Sequence, residues 1–341
     1  MHQWFLDLEK IKLFFLSCSL KKENTNELTI YSHRYYDVDN IIHRDFEKET
    51  GIKINLVHAD IDELIEKITN EGKRTAADLL MTMDASRLNR AKVLGLIQPI
   101  PDKSIFEHVP SYFTAFDSSW VGITYRGRVI AYHTSKVSPH ELSTYGDLAH
   151  EKWKNRILVK SSNSVCNQTL LASMLNHDGH DKASSWTKGL VANLAREPEG
   201  MDHDQMEAMV KGEGDLAIVN SYYFGLFLNS EDPYEAELRK KIALFFPNQE
   251  TTGAHVNISG AALVKYAPNK ENALTFLRYI LSKEVQEKYT HLNFEYPVNK
   301  LASIHPLLES WGEFKFDTTY IDVVSHRYKD AIDIMKESQW N

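Results

Sequence analysis

Cysteine is scarce in this chain. Only Cys18 and Cys166 occur among 341 residues. Two thiols at that spacing make no metal-ligand pattern, and one bridge is not a disulfide framework. Such usage fits the cytosol or the bacterial periplasm. Long apolar runs are missing too: none approaches the ~18 residues of a membrane-spanning helix. Basic charge is not in excess. Lys and Arg number 39 against 47 Asp and Glu, a net charge of −8, which disfavours a role built on neutralising phosphates. The sequence holds no P-loop, dinucleotide fingerprint, nucleophile elbow or zinc-protease motif, and no internal repeat.

What is present is ordinary in bulk and unusual in detail. An apolar fraction of 43% and a charged fraction of 25% describe a soluble globular chain with a large core, long enough for two lobes. Residues 1–24 stand apart. Lys10 and Lys12 precede Leu13-Phe14-Phe15-Leu16-Ser17-Cys18, which reads as the end of a secretory signal or a lipoprotein box lipidated on Cys18. A frayed amphipathic helix is the alternative.

From Leu28 the pattern turns regular. Leu28–Tyr31 predicts a strand, and Asp39 can cap a helix carrying Ile42 and Phe46. A strand follows over Lys53–Val57. Asp60 then caps a helix with Ile61, Leu64, Ile65 and Ile68 at i, i+3, i+4, i+7 spacing. Asp78–Met81 is a third strand, and a helix from Ala85 to Leu94 stops at Gly95. This alternation implies a parallel sheet with right-handed crossovers. Two extended stretches, Val121–His133 and Ala243–Val264, bracket a second α/β unit. In it, strands are expected over Arg156–Lys160 and Asp215–Val219. The predicted fold is α/β, with two lobes of mostly parallel sheet flanked by helices and joined by two crossing strands. Residues 25–124 plus 252–302 form the N-terminal lobe, and 125–251 plus 303–341 the C-terminal lobe.

Ligands in open α/β sheets bind beyond the carboxyl ends of the strands. Tyr35-Tyr36 and Tyr222-Tyr223 both fall there, so four phenols can converge on one interlobe cleft. Phenolate is a hard anionic donor that suits a hard cation such as ferric iron. The ordinary fate of a Tyr-Tyr pair is packing with a surface hydroxyl. His33 is a further ligand candidate, His58 a weaker one, and Arg34 can neutralise phenolates or hold an anion. The stretch His177-Asp178-Gly179-His180 reads as solvated loop, and His255 with Asn257-Ile258-Ser259-Gly260 as a structural turn or hinge. Cys166, at a predicted helix start, has a nucleophile's position but no evident base beside it.

Longer stretches carry a family resemblance. They are Thr29-Ile30-Tyr31-Ser32, Ala77 through Ala85, Tyr125-Arg126-Gly127-Arg128-Val129, Asn167-Gln168, Trp186 through Asn193 and Gly212-Glu213-Gly214-Asp215. Further on come Val219 through Tyr223, Phe246 through Gln249, His255 through Ala261, and Glu295-Tyr296-Pro297-Val298. Across Leu28–Val298 the chain resembles the periplasmic ferric-iron-binding proteins of bacterial ABC transporters, with the type II solute-binding fold. The resemblance implies a monomeric, non-enzymatic periplasmic protein that holds Fe3+ mainly by tyrosines and passes it to a membrane permease. It leaves open whether carbonate or another synergistic anion completes the shell. Tyr222 and Tyr223 match the paired C-lobe ligands, and Tyr36 an N-lobe ligand. Tyr35 falls where many relatives carry His, and Arg34 matches an arginine beside the site. One position departs: Cys166 stands where relatives carry a further ligand tyrosine. As a thiolate, Cys166 would favour Fe2+ or a softer metal. As a non-ligand it would leave room for water, a small anion or an organic solute.

Overall fold

A computed structural model describes residues 26–341; the predicted leader segment and Cys18 lie outside them. The chain opens with β1 (Glu27–Ser32), α1 (Asp37–Thr50), β2 (Lys53–His58), α2 (Ile61–Glu71), β3 (Leu79–Thr82) and α3 (Ser86–Val93). Next come the short β4 (Ile97–Gln98) and the long β5 (Trp120–His133). The second unit holds β6 (Ile157–Leu158), α4 (Val165–Asp178), α5 (His180–Ala192), α6 (Asp202–Lys211), β7 (Leu216–Asn220), α7 (Ser221–Leu228), α8 (Pro233–Arg239) and β8 (Ile242–Phe245). The chain returns through β9 (Val256–Val264), α9 (Lys270–Ile280), α10 (Lys283–Asn293) and β10 (Tyr296–Pro297). It closes with α11 (Pro306–Ser310), α12 (Ile321–Ser325) and α13 (Tyr328–Glu337).

The strands run in the order β2-β1-β3-β9-β5-β7-β6. β1 is parallel to β2 and β3, and β6 is parallel to β7. β5 supplies the crossing. Its first half pairs antiparallel with β9, and its second half with β7 and β8. One core packs around β1, β3 and β9, while two others cover the faces of the second sheet. A fourth cluster lies between the lobes, with Tyr222, Phe294, Tyr296 and Leu308 at its centre. Gly225 permits that contact: a Cβ there would stand 2.5 Å from Phe294 Cβ.

Several local expectations change. Asp39 does not cap α1; Tyr36 takes the N-cap position, and the Asp39 carboxylate turns inward to Arg34. The strand expected over Arg156–Lys160 shrinks to two residues. Asn257–Gly260 is not a turn but the middle of β9. Residues 303–341 do not belong to the C-terminal lobe alone, because α12 has an apolar residue for each core. Ile321 enters the first, while Val324 packs with α13 in the second.

Candidate metal centre

Four of the expected donors stand at helix N-termini. Tyr36 is the N-cap of α1, Cys166 lies in the first turn of α4, and Tyr222 and Tyr223 in the first turn of α7. The pair thus lies just beyond the carboxyl end of β7, as expected, and opens α7. Free amides and the helix dipole at such positions favour negative charge.

The lobes meet at the phenols. The Tyr36 and Tyr222 rings are edge to face at 5.5 Å, and Tyr222 and Tyr223 lie 4.1 Å apart. Burial pushes the Tyr36 phenol up to about 12, against the pull of Arg126 and Arg34. Tyr222 is raised by burial, with Tyr36 and Tyr223 adding to it, and Tyr223 by burial with Asp202 adding. At neutral pH all three are neutral phenols packed against one another, as protons waiting to be displaced by a cation would require.

Buried polar groups hold these turns in place. On the C-lobe side Asp202 accepts from Arg128 Nη1 at 2.7 Å, from the Asn220 amide at 2.9 Å, and from Lys160. Burial alone would raise its carboxyl; Lys160 and Arg128 hold it below the usual range. Arg128 also reaches Asn167, and Asn220 Nδ2 lies 3.3 Å from Cys166 Sγ. One carboxylate thus fixes both the Cys166 turn and the Tyr222 turn. On the N-lobe side Arg34 pairs with Asp39 at 3.0 Å and Glu295 at 3.2 Å, and its guanidinium stacks 4.7 Å from the Tyr36 ring centroid. Arg126, also buried, donates from Nη1 to Ser259 at 2.8 Å and lies 3.7 Å from Glu295. Arg126 is fully buried close to Tyr36, Glu295, Cys166 and Tyr222, so it stands behind the donor set. Its Nε is buried without a partner.

The structure brings together Tyr36, Tyr222, Tyr223 and Cys166. Cys166 is a buried free thiol. Tyr35 does not join them: it is 55% exposed and stacks on His58 at 5.2 Å. His33 turns its Nδ1 to Thr82 Oγ1 at 3.3 Å, and burial lowers its pKa. Arg34 is committed to two carboxylates and is neither a surface ion pair nor free to hold an anion. His177 is not loop but the last turn of α4, with Nε2 2.9 Å from Asp317. Sequence reasoning named neither Arg126 nor Glu295 as site groups. Both lie in the stretches that carry the family resemblance, and the signal was a charged residue inside an otherwise apolar strand or turn.

Residues 42–315 match the model of the bacterial extracellular solute-binding protein family. Iron uptake protein A1 of Synechocystis sp. is 44% identical over 314 residues, covering 92% of this chain and 87% of that protein. A Trichodesmium protein solved in complex with iron and citrate ligands is 42% identical. It superposes with a TM-score of 0.87 over 92% of this chain and 100% of its own. The ferric binding protein from Campylobacter jejuni is 36% identical, with a TM-score of 0.88 over 92% and 100%.

Proposed function

We propose that this chain, which belongs to the bacterial extracellular solute-binding protein family, captures Fe3+ between its lobes and delivers it to an ABC-type importer. Relatives named for iron uptake and ferric binding support the reading. The observation that carries it is the meeting of Tyr36 with Tyr222 and Tyr223 across the interlobe boundary, each at a helix N-terminus. We assign these three as the oxygen ligands. As tyrosinates they supply three negative charges to a trivalent ion, and hard donors match a hard cation. Tyr35 and His33 lie to one side and serve as rim groups. Cys166 takes the fourth position as a neutral neighbour, leaving a coordination place for water or a small oxyanion. Capture requires no bond-making step, only hinge closure about β5 and the chain entering β9. The protein acts in the periplasm as a monomer, whose two lobe faces are then free to meet a permease.

An optical titration of apo-protein with chelated Fe3+ tests this, on wild type and Cys166→Tyr. A broad visible band saturating at one iron per chain in the wild type is expected, stronger in the variant. A band only in Cys166→Tyr would remove ferric iron as the natural cargo.

A further inference from the structure

We propose that Arg87, Gln168 and Tyr328 form a clasp that holds the lobes shut beside Cys166 and sets how fast iron leaves. The inference rests on the iron-capture reading above. Arg87 lies near the start of α3, whose Leu88 and Ala91 are packed into the first core. Tyr328 opens α13, whose Ala331, Ile334 and Met335 are packed into the second. The Arg87 guanidinium carbon stands 4.8 Å from the centroid of the Tyr328 ring. Both side chains donate to one oxygen, Gln168 Oε1: Arg87 Nη2 at 3.4 Å, and the Tyr328 hydroxyl. Gln168 sits two residues beyond Cys166 on α4, and its Nε2 donates to the Ser162 carbonyl at 2.8 Å, which fixes its amide.

Three features distinguish this from an incidental contact between exposed side chains. The contact joins a side chain on α3, packed in the first core, to two on helices packed in the second, so separating α3 from α4 and α13 breaks it. It is desolvated enough that Arg87 Nε is buried without a hydrogen-bond partner, and a guanidinium over a ring gains most where water is excluded. It also lies on the Cys166 side of the donor set, where the chain departs from a four-tyrosine site. A set with one ligand fewer holds its lobes together less firmly through the metal, and contacts across the closure seam supply part of what is missing.

The test is release of iron from the holo-protein to excess EDTA, followed by loss of the visible band. It compares wild type, Arg87→Met, Arg87→Lys, Tyr328→Leu and the Arg87→Met/Tyr328→Leu pair. Each apo-protein is also melted. Arg87→Met and Tyr328→Leu are expected to release iron about tenfold faster, the scale of one partly desolvated cation–π contact. The double variant should be no faster than either single, Arg87→Lys should recover part of the effect, and the apo melting of Arg87→Met should not move. A structural role would instead shift that melt and leave release alone. Unchanged release in Arg87→Met, or multiplicative effects in the pair, would overturn the clasp. A displaced band maximum in Tyr328→Leu would overturn it too, by making Tyr328 a ligand. A wild type without any band would remove the iron reading and the clasp together, whereas normal binding with unaltered release removes the clasp alone.

Discussion

Tyr222→Phe reports directly on whether the buried phenols are ligands. In the closed site Tyr36 is pushed up to about 12, and Tyr222 and Tyr223 lie above their ordinary value. Four units below its pKa a phenol is ionised in about one part in ten thousand, so at pH 8 and below each carries its proton. A cation that binds the oxygens must expel one proton from each. With three tyrosine ligands, log K for Fe3+ rises by about three per pH unit between pH 6 and 8, once the competing chelator's own protons are subtracted. Removing one phenol removes one proton, so Tyr222→Phe should show a slope of about two. Its affinity should fall by more than the roughly 10- to 100-fold cost of disturbing a ligand's outer partners. The assay is competition against a chelator of known protonation at several pH values, read at the visible band. Equal slopes in wild type and variant, with affinity kept, would refute Tyr222 ligation.

Other perturbations test the support rather than the donors. Gly225→Ala puts a methyl 2.5 Å from Phe294 Cβ and Cγ; α7 has to shift, and thermal melts should show a loss of about 1–3 kcal/mol. Glu295→Gln leaves Arg34 and Arg126 one carboxylate short in a buried place, so chemical denaturation should show about 3–5 kcal/mol lost. His255 is buried and its pKa lowered to about 4. The unfolded chain therefore binds the extra proton first, and stability falls as pH drops from about 6.5 towards 4, by up to about 3 kcal/mol. Denaturation of wild type and His255→Gln at pH 7 and pH 5 checks this: the variant should lose less between the two.

Periodicity revealed what depends on local pattern. The spacing of Ile61, Leu64, Ile65 and Ile68 marks α2 because one apolar stripe is all that helix buries. Asp60 caps it as expected, accepting from the Asp62 amide. Long-range pairing was hidden. Asp39 looked like a cap because Asp in a first turn usually is one, yet a buried Arg34 five residues upstream outcompetes the backbone for its carboxylate. Asn257–Gly260 looked like a turn because Asn, Ser and Gly favour turns. In β9 their small size lets α3 approach: Gly260 would meet Leu88 Cδ1 at 2.9 Å if it had a Cβ. The tyrosine pairs were visible as pairs, but apart from the family resemblance no local pattern separates Tyr36, which faces Tyr222, from Tyr35, which faces His58. That distinction is set by the direction in which α1 leaves β1.

Charge balance explains why a site short of one tyrosine can still hold a trivalent ion. Behind the phenols lie two buried arginines, Arg34 and Arg126, and two buried carboxylates, Asp39 and Glu295. This N-lobe support is neutral as a unit, while Asp202 with Arg128 and Lys160 leaves one positive charge on the C-lobe side; Glu295 is held below the usual carboxylate range because the two arginines outweigh its burial. The N-lobe base therefore fixes positions, and the C-lobe base adds one positive charge behind the cleft. Within the ligand set, three tyrosinates against Fe3+ sum to zero without Cys166 ionising. On this reckoning a neutral thiol at 166 costs a metal–oxygen bond but no electrostatic balance. A Cys166→Ser variant, neutral and of similar size, should keep both the proton count and the visible band of the wild type; a changed proton count would show that the thiol had been a thiolate ligand all along.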